Sequence, residues 1–169
     1  MAQARPRRRR GCLRSASILV ILIGAGYGLW RGFAVRRFTV PAGMTDMSPA
    51  LRPGDRAALD RLGYRVTPPH RGDMVAVRGA ESDLGFDIRR IVALPGETVE
   101  IKDGILTVNG ARTAESSAHG ELQGDLGPER VPRESYFVLP DDRTAYSPSA
   151  ATSIVARRDI LGRVIPTGG

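Results

Sequence analysis

"IVALPGETVEIKDGILTVNG", residues Ile91–Gly110, carries the strongest local signal in the chain. Thr98–Lys102 and Ile105–Val108 alternate apolar and polar residues, the period-two pattern of a half-buried strand. Between them stands Asp103-Gly104, a pair suited to a type I′ turn, in which both central residues need a positive φ. Pro95-Gly96 stops the strand-like run "DIRRIVAL" that precedes them. The stretch predicts three strands joined by tight turns.

Working outward, the same pattern continues. On the N-terminal side "MVAVR", Met74–Arg78, follows a rigid loop at Pro68–Asp73, and residues 56–62 follow an Arg52-Pro53-Gly54-Asp55 turn. On the C-terminal side, residues 111–130 are polar and Gly-rich, which predicts a loop or mobile flap. "YFVL", Tyr136–Leu139, is a short buried strand, and "DILGRVI", Asp159–Ile165, is the last. No segment beyond Val35 keeps an apolar 3.6 period, and there are no internal repeats, so this part of the chain is mainly β.

The N-terminus is of another kind. Ala16–Trp30 is an apolar run, interrupted by Arg31 and resumed by Gly32–Val35. It reaches the length of a membrane span of about 20 residues if Arg31 snorkels to the interface beside Tyr27 and Trp30. The chain's net charge is +7, yet nine Arg and no acid precede Phe38, leaving 16 basic and 18 acidic residues beyond. The high pI therefore argues for a membrane surface and against a nucleic-acid-binding domain. By the positive-inside rule residues 1–15 form a cytoplasmic tail, 16–35 a transmembrane helix and 36–169 an extracytoplasmic domain, in a single-pass protein of the cell membrane. A cleaved signal peptide would share the basic start, and Gly24-Ala25-Gly26 supplies small residues. Trp30, Arg31 and Arg36-Arg37 favour an uncleaved anchor. Cys12 is the only cysteine, so no intramolecular disulfide forms; a small residue at the membrane edge accounts for it.

The order of the pieces carries a resemblance. An apolar anchor precedes "DMSPALRPGD", followed by "RGDMVAVR", "IRRIVALPGETVEIKDGILTVNG", "VPRESYFVLPDDR" and "DILGRVI". This resembles the bacterial type I signal peptidase family, membrane-bound serine proteases of the S26 class, over nearly all of the exported part. The resemblance implies a two-sheet antiparallel β domain on one N-terminal transmembrane helix, and a Ser/Lys dyad that cuts signal peptides from exported proteins.

Two departures stand at the positions where the family keeps its dyad. The family's Ser-Met-x-Pro-Thr-Leu motif is filled by Asp46, Met47, Ser48, Pro49, Ala50 and Leu51, so a carboxylate replaces the nucleophile. The motif that begins with the basic lysine is filled from Arg89 and Arg90 onward. Arg89 cannot serve as a general base, because a guanidinium is not deprotonated in proteins. Met44 stands where many members carry an oxyanion-binding Ser, and Tyr146 where a Ser supports the lysine. Asp141 and Arg143 match a late box of the family. Aligning from Pro41 instead would put Met44 at the nucleophile position, which also lacks a hydroxyl. Lys102, the only lysine, matches no catalytic position.

Ser48 is the one candidate surrogate nucleophile: if the loop is extended, its side chain falls on the same side as Asp46, which could act as its base. The opposite charges at positions 46 and 89 instead point to a structural ion pair, bidentate in its best geometry. The resulting expectation is a catalytically inactive, membrane-anchored homologue. Met44, Met47, Pro49, Arg90, Asp141 and Arg143 would frame a groove that binds exported precursor peptides or signal peptides beside a sheet edge. It would act as a chaperone or an assembly factor, for instance in pilus assembly. The alternatives are an active signal peptidase with a non-standard nucleophile and a structural membrane protein without a peptide. No cofactor is implied, and His70 and His119 have no partners at metal-ligand spacing.

Overall fold

The computed structural model describes Ile21, Gly24, Gly26 and residues 35–79, 83–113, 117–144 and 146–168. The chain divides into Met1–Ala34 and Val35–Gly169. In the first unit the three described residues are helical. Among the described residues no helix is long and apolar enough to cross a membrane. The span expected at 16–35 lies outside them, apart from those three residues and Val35.

The second unit is an antiparallel β structure of two sheets. In chain order the strands are β1 (Val35–Thr39), β2 (Arg56–Asp60), β3 (Met74–Arg78), β4 (Phe86–Ala93), β5 (Thr98–Lys102), β6 (Ile105–Val108), β7 (Ala111–Arg112), β8 (Leu126–Arg130), β9 (Ser135–Leu139), β10 (Ile154–Ala156) and β11 (Ile160–Gly168). The larger sheet runs β1-β2-β11-β3-β4-β9-β10 and the smaller β7-β6-β5-β8. The β5–β6 hairpin forms as its sequence predicts, with Lys102 opposite Ile105. Asp103 and Gly104 both take positive φ, 50° and 72°, as the I′ turn requires.

Three apolar clusters hold the unit together. Val99, Ile101, Leu106 and Val108 of the small sheet pack on Val92, Ala93, Phe137 and Leu139 of the large one. Val75, Val77, Ile91, Tyr136, Val138 and Ile160 form a second cluster. The third joins Ala57, Leu59, Ala76, Phe86, Ile88 and Val164 to Val40, Met47 and Leu51 of the loop after β1.

Where the sequence and the structure differ, backbone pairing is the reason. Residues 111–130, expected to be a loop or flap, contain β7 and β8. β8, with the sequence LGPER, pairs its backbone to β5 although it has no apolar alternation. An edge strand buries little of either face, so polarity, Gly and Pro do not exclude it. Leu122, within that segment, is buried in the core. β2 stops at Asp60, two residues before its expected end. The Asp60 carboxylate accepts the N–H groups of Leu62 and Gly63 at 3.0 and 2.9 Å, turning the chain into a one-turn helix, Gly63–Val66. β10 carries no alternation and was not legible; it pairs with β9 as the sheet's last strand.

Candidate functional site

The loop after β1 is closed at its neck, where Val40 and Asp55 are joined by a 2.9 Å hydrogen bond from the Val40 N–H. Within it, successive tight turns link Met44 to Pro41, Ser48 to Thr45 and Leu51 to Met47 through backbone hydrogen bonds of 3.1, 2.9 and 2.8 Å. Met47 and Leu51, each 1% exposed, pin the loop to the core. Burying such a side chain stabilises by about 1.5–3 kcal/mol. Asp46, immediately before Met47, is thereby held half-exposed at the surface of the loop. Its backbone carbonyl accepts the N–H of Asp142 at 2.9 Å, tying the loop to the segment that follows β9.

Arg89 reaches this loop from β4. Its Nη1 donates to Asp46 Oδ2 at 2.7 Å and to the Ile88 carbonyl oxygen at 2.9 Å. The pair expected from the sequence is therefore formed, but through one guanidinium nitrogen and not as a fork. The bidentate geometry belongs to the next residue. Arg90 Nε donates to Asp141 Oδ1 at 2.7 Å, Nη2 donates to Oδ2, and Nη1 donates to the Gly72 carbonyl at 2.8 Å. Asp141 is 1% exposed.

The other expected residues divide into rim and scaffold. Met44 lies on the rim of a cavity of about 330 Å³, with Pro41, Gly43, Asp46, Asp83, Asp87, Ile88 and Arg89. A second cavity, about 460 Å³, is lined by Val77, Val138, Tyr146, Ile154 and Val155 among others. Asp87 and Arg89 line both, so the cavities meet at β4. Met47 and Arg143 are buried, 1% and 6% exposed. Arg143 Nε donates to the Pro140 carbonyl at 3.5 Å. Pro49 follows a cis peptide bond from Ser48. Tyr146 shares a 3.2 Å hydrogen bond with the fully buried Ser153.

Ser48 does not meet the condition set for it. The loop is a series of turns, not extended, so positions 46 and 48 do not alternate to one side. Among the described residues no hydrogen bond joins Ser48 to Asp46. Lys102 lies at the β5–β6 hairpin of the small sheet.

Asp83, Asp87 and the Ile88 carbonyl had no signal in the sequence; they join the site only because β4 and the neighbouring loops meet there. The Asp142 carboxyl is held below its usual range, chiefly because the Thr144 hydroxyl and then the Thr144 N–H donate to it, at 2.8 and 3.1 Å. Among the described residues no group of three or more His, Cys, Asp or Glu is placed to hold a metal.

The family described as "Signal peptidase, peptidase S26" matches residues 12–167 of this sequence. The chain belongs to that family. A signal peptidase I from Leptolyngbya laminosa is 32% identical over 127 residues, covering 70% of this chain and 62% of that protein. A signal peptidase I from Bacillus licheniformis is 36% identical over 109 residues, covering 59% of this chain and 58% of that protein. The chain thus spans 62% and 58% of the length of these curated relatives. A solved signal peptidase I from Enterococcus faecalis V583 is similar at 26% identity and a TM-score of 0.46, over 57% of this chain and 97% of that one.

Proposed function

We propose that this S26-family chain binds exported precursor peptides or signal peptides without cleaving them, as a chaperone or assembly factor anchored in the cell membrane by residues 16–35. The observation that carries the reading is the Asp46–Arg89 ion pair, 2.7 Å long, at the two positions to which the family resemblance assigns the serine and the lysine. A Ser/Lys mechanism needs a hydroxyl and an amine that is neutral at working pH. Asp46 supplies an acceptor without a hydroxyl, and Arg89 holds its proton permanently. The neighbours argue the same way. Met44 offers no donor to an oxyanion, and the Tyr146 hydroxyl is engaged with Ser153. What remains is two joined cavities on β4, roomy enough for peptide side chains.

The test is a time course with a fluorogenic signal-peptide substrate, read for both binding and cleavage. Binding without cleavage is expected of the wild type. Asp46→Ser with Arg89→Lys is expected to restore little, since the oxyanion wall and the support for the lysine are also replaced and a site needs both preorganised. Cleavage by the wild type that vanishes in Ser48→Ala would establish an active peptidase with a non-standard nucleophile. Absence of any binding would remove the peptide reading.

A further inference from the structure

Among the described residues, the second half of β4 has neighbours on both sides, and the first half has a paired strand on one. β4 pairs with β3 from Phe86 to Arg90, but with β9 only from Arg90 to Ala93. Which main-chain groups face the vacant side follows from alternation. Ile91 donates to the Asp73 carbonyl at 2.9 Å and its own carbonyl accepts from Gly72 at 2.8 Å, both on the β3 side. Arg90 faces the β9 side, opposite Leu139. The period of two then turns the N–H and C=O of Ile88 to the side that β9 has left.

An open edge of this kind invites an added strand. Here it is shut. The Ile88 carbonyl accepts from Arg89 Nη1, and Ile88 is only 1% exposed. With both Nη1 hydrogens engaged, on Asp46 and on Ile88, the Nε–H and the Nη2 hydrogens of Arg89 have no partner among the described residues. They are not sealed off either: among the described residues no buried side-chain nitrogen or oxygen lacks a hydrogen bond. They are therefore within reach of solvent where the two cavities meet.

We infer that Arg89 reads the bound peptide, its Nε and Nη2 donating to a backbone carbonyl oxygen, while its Nη1 closes the β4 edge against strand addition. This rests on the peptide-binding reading above and specifies how that site takes its ligand. The charge around the fork selects a neutral acceptor. Asp46, Asp83 and Asp87 line the same cavity, so a carboxylate would enter against three of its own sign, whereas a peptide carbonyl carries no charge. The ligand is thus an internal, uncleaved segment of extended peptide and not a peptide's C-terminal carboxylate.

The experiment uses the full chain in dodecyl maltoside micelles and a fluorescein-labelled, alanine-rich dodecapeptide read by anisotropy. In a series of variants, one peptide amide at a time is replaced by an ester. Each ester removes an N–H and weakens the carbonyl before it. Loss of affinity is expected at one linkage only, the one whose carbonyl rests on Arg89, and that loss disappears in Arg89→Met. Arg89→Met itself binds the all-amide peptide on the order of tenfold more weakly, the effect of hydrogen bonds to a charged donor.

Losses at a run of consecutive linkages in the wild type, where each ester weakens a bonding carbonyl or removes a bonding N–H in turn, would show strand addition and overturn the inference, whether or not Arg89→Met folds. Unchanged affinity in Arg89→Met would overturn it too. Both outcomes leave the peptide-binding reading standing. If neither wild type nor Arg89→Met binds any peptide of the series, that reading fails, and the inference with it.

Discussion

Arg89 and Arg90 are neighbours on one strand, each paired with an aspartate, and the two pairs differ in nearly everything else. Arg90 meets Asp141 as a fork, on a carboxylate that is 1% exposed, and also holds the Gly72 carbonyl. Arg89 meets Asp46 through one nitrogen, on a carboxylate that is 49% exposed. Successive strand residues point to opposite faces. One side chain therefore fastens the segment after β9 to the turn before β3, and the other reaches the rim of a cavity. The first pair locks structure; the second keeps spare donors at a surface where a ligand can arrive.

The comparison breaks most readily at the buried pair. Asp141→Ala leaves the Arg90 guanidinium without its partner in a largely enclosed place. A loss of about 3–5 kcal/mol is expected, read as a lower midpoint in chemical denaturation. A loss below about 1 kcal/mol, the range of a surface pair, would erase the distinction between the two sites.

The exposed pair is expected to yield far less. A double-mutant cycle with Asp46→Ala and Arg89→Met should give a coupling of at most about 1 kcal/mol, because solvent and salt screen a half-exposed, single-nitrogen contact. The coupling should shrink further in 1 M salt, where the screening length falls to about 3 Å. A coupling as large as that of the buried pair would mean that the loop, not the contact, is being measured.

The smallest effect concerns Asp142, whose N–H is tied to the Asp46 carbonyl. Its carboxyl lies below the usual range because Thr144 donates to its ionised form. A depressed folded value contributes stability above the unfolded pKa of about 4, and that stability is lost as pH falls through the folded value. Thr144→Val should therefore raise the Asp142 titration midpoint by NMR and remove part of the acid dependence below about pH 4. An unmoved midpoint would assign the shift to another cause.

Much of the fold was legible because its signals are local. The β5–β6 hairpin follows from two alternating runs and an Asp-Gly turn, and the strands at 74–78 and 136–139 follow from short apolar runs between turn residues. β8 and β10 were not legible. Their residues are strands because β5 and β9 offered unpaired edges, and pairing of backbone groups needs no particular side chain. The candidate site divides in the same way. Residue types at positions 46 and 89 already exclude a hydroxyl and a neutral amine, since that is covalent chemistry, fixed once the sequence is written.

Sequence also sets the opposite charges that draw Asp46 and Arg89 together. It does not set the distance, the single-nitrogen contact or the exposure, which depend on Met47 and Leu51 anchoring the loop, with Asp142 tying it down. Nor does it say that the Ile88 carbonyl takes the second Nη1 hydrogen. That follows only because β9 stops opposite Arg90, leaving the next carbonyl of β4 without a strand and within reach of the adjacent guanidinium. Charge and donor count belong to residues one at a time. Which donors are left over is decided by what long-range packing brings beside them.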